Sequence, residues 1–214
     1  MQAIRTLVTI SIVLFVLLLL MVLAVVIYII KQKRTEEKLL KSSKRGSDLV
    51  YELLRVASPT GRIFRRVLLP YKENGNVTRI PVELLLVDRG GVFVIRTQNM
   101  TGRVDNSDRE VWTLFPPKGE AVNFPNPIEQ NRLPVKAVEA LLRRAGVDNI
   151  PRYNLVVFTG KRVLFRRRSD RLVTAEQLCE TIRDTNRNRF LSQKEINQTV
   201  SALRRVMATP KKKA

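Results

Sequence analysis

From Thr6 to Ile30 the chain has 25 consecutive residues without a charged side chain, apolar except for Thr6, Thr9, Ser11 and Tyr28. About 20 apolar residues in a helix cross the hydrocarbon core of a bilayer, so this run is long enough to span. A cleaved leader has a shorter apolar stretch, about 7–15 residues, followed by small residues at a cut site. Here the run ends in Tyr28-Ile29-Ile30 and passes directly into Lys31-Gln32-Lys33-Arg34. Residues 1–30 therefore read as an N-terminal transmembrane anchor, with its span at about 6–30.

Charge orients the anchor. Arg5 is the one charged residue before the span, whereas Lys31 to Arg45 holds seven Lys/Arg (31, 33, 34, 38, 41, 44 and 45) against Glu36 and Glu37. Lys and Arg beside a span stay on the cytoplasmic side. The expectation is a single-pass protein of the cell (inner) membrane, N-terminus outside and domain in the cytoplasm. Of the formal net charge of +20, Arg5, the juxtamembrane surplus of five and Lys211-Lys212-Lys213 account for nine. The eleven left on residues 46–210 make the folded part itself attractive to anions. The expected partners are membrane lipids, through the anchor and the basic juxtamembrane segment, and DNA or RNA. Nothing in the sequence names a protein partner.

The chain contains no histidine, which removes Ser-His and Cys-His nucleophile pairs and His-ligated metals. Its one cysteine, Cys179, shares one-face helical spacing with Ala175, Leu178 and Ile182, so it reads as a core residue. One cysteine permits no intrachain disulfide and no thiolate zinc site.

Residues 31–46 read as a basic juxtamembrane linker, helical to about Leu40 and broken by Lys41-Ser42-Ser43-Lys44-Arg45-Gly46. Residues 47–185 read as one domain, 186–209 as a C-terminal helix and 210–214 as a basic tail. Asp48 to Ala57 has helical spacing of Leu49, Leu53, Leu54 and Val56, and Ser58-Pro59-Thr60-Gly61 stops it. Three strands follow: Ile63–Leu69, ended by Pro70; Ile80–Val87; and Val92–Thr97. Lys72 to Asn76 is turn chemistry, and Asp88-Arg89-Gly90-Gly91 a tight hairpin. The last two strands are almost continuous apolar runs, as central strands covered on both faces are. Asn99–Asn126 reads mainly as loop, with Val111–Phe115 an extra strand. A helix within Pro127–Ala145 presents Val138, Leu141, Leu142 and Ala145, and stops at Gly146. Tyr153–Thr159 is another buried strand. Thr174-x-x-Gln177 and Ser192-x-x-Glu195 are capping boxes that open two more helices, the last carrying Ile196, Val200, Leu203 and Met207. The order predicts α/β or α+β architecture around one mixed sheet.

From Gly46 to Ile182 the chain resembles the NERD (nuclease-related) domain family. The resemblance is carried by Glu83-Leu84-Leu85-Leu86-Val87-Asp88-Arg89-Gly90-Gly91-Val92-Phe93-Val94-Ile95, then Asn99-Met100-Thr101-Gly102-Arg103-Val104. Trp112 follows, then Phe124-Pro125-Asn126-Pro127-Ile128-Glu129-Gln130-Asn131, and later Leu155-Val156-Val157-Phe158-Thr159. It implies an α/β fold, a restriction-endonuclease-like mixed sheet flanked by helices, here preceded by one transmembrane helix. In that fold two carboxylates on the hairpin and a Lys hold a divalent metal and activate water against a phosphodiester. Mg²⁺ takes oxygen ligands, usually one or two carboxylates plus substrate phosphate.

This sequence departs from the pattern. The family's Glu-Ile-Asp is Pro81-Val82-Glu83, its third-strand Glu is Arg96, and its Lys is Gln98. Its early Gly-Glu is Gly46-Ser47, with Asp48 one place late. The vestigial positions are therefore Glu83, Arg96 and Gln98, with Ser47 or Asp48 and Gln130 as neighbours. A fixed cation at a metal ligand's place repels Mg²⁺. No cofactor is expected, and Mg²⁺ enters only if the chain is an active nuclease built on Glu83. Arg96 has two readings: a phosphate clamp, or an internal salt bridge to Glu83 that closes a dead site. Asp88, and Asp105-x-x-Asp108 in a polar loop, do not rebuild a metal site.

Lys161, Arg162, Arg166, Arg167, Arg168 and Arg171 form a basic run interrupted by Phe165. It suits a polyanion-tracking patch with one stacking ring, and equally a solvated loop facing anionic lipid. Three functions stand: a membrane-tethered, catalytically inactive nuclease-like binder of nucleic acid or another polyanion; an active metal-dependent nuclease; and a membrane-surface or protein-interaction scaffold. The topology is directly testable: reporter fusions after residue 50 and at the C-terminus should both read as cytoplasmic, and an external C-terminal signal would sink the assignment.

Overall fold

The computed structural model describes residues 2–41, 46–73, 75–188 and 190–208. The breaker at 42–45, Asn74 of the first turn, Arg189 and the tail at 210–214 lie outside these. The chain divides into two compact units, 1–42 and 43–214. The first is a single helix, α1 (Gln2–Lys41). Its stretch Ile12–Lys31 is long and apolar enough to cross a membrane; at 1.5 Å per residue it is about 30 Å long. A signal sequence near the N-terminus has the same character.

The second unit begins with α2 (Ser47–Ala57), β1 (Arg62–Glu73), β2 (Asn76–Asp88) and β3 (Gly91–Gln98). Then come β4 (Arg103–Asp105), β5 (Val111–Phe115), β6 (Val122–Pro125), α3 (Pro127–Gln130) and α4 (Arg132–Arg144). It closes with β7 (Arg152–Phe158), β8 (Leu164–Phe165), β9 (Leu172–Thr174), α5 (Ala175–Asn188) and α6 (Gln193–Ala208). The main sheet has the order β1-β2-β3-β7-β9. β1, β2 and β3 are antiparallel neighbours, and β7 and β9 join in parallel. α4 and α6 cover one face, where Val138, Leu142 and Leu203 bury Leu69, Leu85 and Val94. α2 and α5 cover the other. The fold is thus mixed α/β, a sheet between helices.

The Asp88–Gly91 hairpin pairs Leu84–Asp88 with Gly91–Ile95, and both strands are buried there, as their apolar runs predict. Ser192 and Glu195 form a reciprocal capping box, and at the other box Gln177 accepts from the Thr174 N–H. Cys179 is buried.

Several expectations need correction. β1 does not stop at Pro70; it runs to Glu73, and Pro70 pairs with Arg79. β1 is an edge strand, where a missing N–H costs no ladder bond. β2 correspondingly begins at Asn76 rather than Ile80. Most of 99–126 is loop, as expected, and Val111–Phe115 is the extra strand, but two more short strands, β4 and β6, join it and β8 in a second sheet, order β6-β5-β4-β8, around Trp112, Phe124, Val104 and Phe158. Strands of two to four residues are too short to show a period. The helix after Pro127 breaks at Asn131, and Ala145 caps it in the open while Ala137 is buried in its stead. Met207 is exposed, and its neighbour Val206 packs against the core instead.

Asp88 is the buried lock of this arrangement. Its carboxylate accepts from the Ser58 hydroxyl after α2, from its own hairpin's Arg89 N–H and from the Asn186 amide on α5. Asp88→Ala leaves three donors without their acceptor and should lower unfolding stability by about 2–4 kcal/mol. Exposed Arg89→Ala, at the next position, should change it by less than about 0.5 kcal/mol in the same urea titration.

Candidate functional site

β1 and β2 change phase at one level. Ile80 and Val82 share a core with Leu85 and Val87, although strict alternation would put the two pairs on opposite faces. Val67 and Phe64 behave the same way on β1. The slip falls where the ladder skips from Arg65–Leu84 to Val67–Val82, and Arg66 there has φ 50°. Past this level β2 no longer pairs with β3, whose ladder ends at Leu84–Ile95. Glu83 fills the gap. Its two carboxylate oxygens accept from the Thr97 backbone N–H (2.9 Å) and the Thr97 hydroxyl, replacing the β2 partner Thr97 lacks.

The expected Glu83–Arg96 salt bridge is therefore not what closes the site. Arg96 and Gln98 share the face of Val94. Arg96 is half-buried; its Nε is buried without a hydrogen-bond partner, and no ion pair engages the guanidinium among the described residues. Gln98 uses its carbonyl to accept from the Thr159 N–H (2.8 Å), and the Thr159 hydroxyl in turn accepts from Gly46 N–H (3.1 Å). That link brings the start of α2, with Ser47, to the same end of the sheet. Asp48 points elsewhere and pairs with Arg65 on β1. Gln130 is exposed at the end of α3, while its neighbour Asn131 is buried and ties the α3–α4 junction to the Val94 carbonyl (2.9 Å) and to Asn154 (2.8 Å).

A divalent metal does not fit this donor set. Both oxygens of Glu83, the carboxylate that the resemblance matches to a family ligand, are engaged by Thr97. The opposing position is a permanent cation. Among the described residues no three acidic or cysteine side chains converge.

Lys161, Arg162, Arg166, Arg167, Arg168 and Arg171 are all exposed. They do not lie on a free loop. Leu164 N–H donates to Gly102 O (3.1 Å) and Arg166 N–H to Val104 O (3.0 Å), seating β8 beside β4. Glycine permits the close approaches on either side: a Cβ at Gly160, just before β8, would stand 1.6 Å from the Met100 carbonyl, and on the β5 side of β4 one at Gly102 would stand 2.3 Å from the Phe115 carbonyl. Phe165 is not a free stacking ring. It packs edge-on against Phe158, centroids 4.9 Å apart, inside the second core. The Asp105–Asp108 segment is an ordered staple rather than a plain solvated turn. Asp105 accepts from Ser107 and from Arg166 (2.6 Å), and Asn106 accepts from Arg167 N–H (2.8 Å). Arg167, Arg168 and Arg171 border a depression of about 530 Å³ with Arg109, which no periodicity or motif singled out. A groove of about 1120 Å³ continues from this depression, sharing Arg109 and Arg171 with it, and runs past β7 and residues of α4 and α5, with acidic and basic walls mixed.

The comparisons with known proteins fit this frame. The family model described as "Nuclease-related domain" (NERD) matches residues 42–159, and the chain belongs to that family. It is also similar to an uncharacterized protein of Bacillus anthracis, 31% identical over 104 residues, 47% of this chain and 47% of that protein. This chain thus spans about half the length of that relative. No solved structure matches.

The Ser107 hydroxyl, then the Arg166 guanidinium, hold the Asp105 carboxyl down from 3.8 to about 2. A depressed carboxyl contributes stability above its unfolded value, and the contribution is lost as pH falls through its folded value. The staple should therefore persist down to about pH 4 and open toward about 2. An NMR titration of the Asp105 carboxyl should show that low midpoint, and Arg166→Ala should move it up toward 3.8.

Proposed function

We propose that this chain is a membrane-anchored, nuclease-related protein that binds nucleic acid on the cytoplasmic side of the cell membrane and does not cleave it. The observation that carries this reading is Arg96. It is a half-buried guanidinium whose Nε has no hydrogen-bond partner among the described residues, at the position the resemblance matches to the family's metal-binding carboxylate. An unpaired, partly desolvated cation is costly unless an anion completes it, and a planar fork of donors matches a phosphate. Lys161, Arg162, Arg166, Arg167, Arg168 and Arg171 extend the attraction, Arg166 being partly committed to Asp105. The anchor reading and its orientation rest on the apolar run and the Lys/Arg asymmetry around it.

The full chain, in nanodiscs of zwitterionic lipid, should bind DNA or RNA with an affinity that falls steeply with salt, as counterion release requires. Arg96→Ala should weaken binding about tenfold, the effect of losing one charge-assisted contact. Neither Mg²⁺ nor Mn²⁺ should produce cleavage, because Arg96 can attract a phosphate but cannot lower the pKa of a bound water as a metal does. Cleavage that stops with EDTA and with Glu83→Ala would establish the surviving nuclease instead. Failure to bind at low salt would favour a scaffold that docks on lipid or an acidic protein.

A further inference from the structure

The second sheet buries one face and leaves the other open. Val104, Trp112, Phe124 and Phe165 point into its core. The opposite face would ordinarily be polar. Here Leu164, Arg103 and Phe115 instead form a row across β8, β4 and β5, in register. Leu164 is 66% and Phe115 38% exposed, and Val111, also outward, 47%. The Arg103 guanidinium lies over the Phe115 ring, 4.8 Å from its centroid. The one carboxylate among the paired outward residues is Asp105, and Arg166 already holds it. The exposed cations of 161–168 rim this face, held there by the β4–β8 pairing and the Gly160 contact described above.

We infer that the outer face of the second sheet is a platform for single-stranded nucleic acid, on which bases stack against the Arg103–Phe115 pair while the 161–168 cations follow the phosphates. This rests on the nucleic-acid reading proposed above and names its substrate class. Stacking on aromatic rings and guanidinium planes is how single strands are held without sequence preference. A duplex hides those base faces. A bilayer is a poorer fit: a ring meant to enter lipid would be free, whereas this one is capped by a guanidinium, a planar group that another planar group can extend.

The test uses the full chain in nanodiscs of zwitterionic lipid and three dye-labelled probes of about 12 nucleotides: a dT strand, an abasic strand with the same phosphates and no bases, and a duplex. The dT strand should bind about tenfold more tightly than the abasic one. Arg103→Lys keeps the charge and loses the plane; Phe115→Leu keeps apolar area and loses the ring. Each should erase the preference for dT while leaving abasic binding and the melting temperature unchanged. Equal binding of dT and abasic strands, tighter binding of the duplex, or a preference that survives both variants would overturn the platform and leave the broader reading standing. If no strand binds at all, both fall. Phosphatidylglycerol vesicles captured in a Phe115-dependent way, with dT ignored, would assign the face to lipid.

Discussion

The geometry of the whole domain hangs on how the β2–β3 hairpin is held. Its tip carries a buried carboxylate, Asp88, that binds the exit of α2, the hairpin backbone and the end of α5 together. A two-residue connection between Asp88 and Gly91 sets the antiparallel register, and β7 then adds in parallel to β3. From that register follows which residues of β3 share a face, and so where Arg96 and Gln98 stand relative to Glu83. A buried carboxylate with three donors is stable in this place only because all three arrive from fixed elements, so the lock also orders the two helices that cover one face of the sheet.

At the open end of β3 the carboxylate and the guanidinium do not answer each other. A restriction-endonuclease-like site gathers negative charge so that a cation completes it. In this chain the remaining carboxylate is satisfied locally, clipping the open end of β3 through Thr97, and the uncompensated group is a guanidinium. This end of the sheet offers a fixed positive charge. Such a site can recognise an anion by charge and planarity, but it supplies no ligand set for activating water.

The second sheet changes how the basic run is understood. Read along the chain, 161–171 is a charged stretch with one aromatic. In the fold, its pairing with β4 and a close approach at Gly160 that only glycine permits fix its position, its aromatic packs on the core, and a different ring, Phe115, takes the surface position. Charge density at that face depends on tertiary pairing of segments about sixty residues apart, as the Asp105–Arg166 and Asn106–Arg167 contacts display.

Much was legible in the residues themselves. The helix at the N-terminus follows from 25 uncharged positions, the central hairpin from two apolar runs around Asp-Arg-Gly-Gly, and the capping boxes from local hydrogen-bond chemistry, because each depends on neighbours in sequence. The family was legible as well, since a motif is a string. Spatial partnership was not. That Glu83 turns to Thr97 rather than to Arg96 follows from a phase slip shared by β1 and β2, visible only once both strands are paired. That Phe165 packs against the core, Phe115 is exposed, and Pro70 is tolerated inside a strand was decided by which edges and faces the packed sheets leave open. Those are properties of long-range contact, which no local pattern in the sequence encodes.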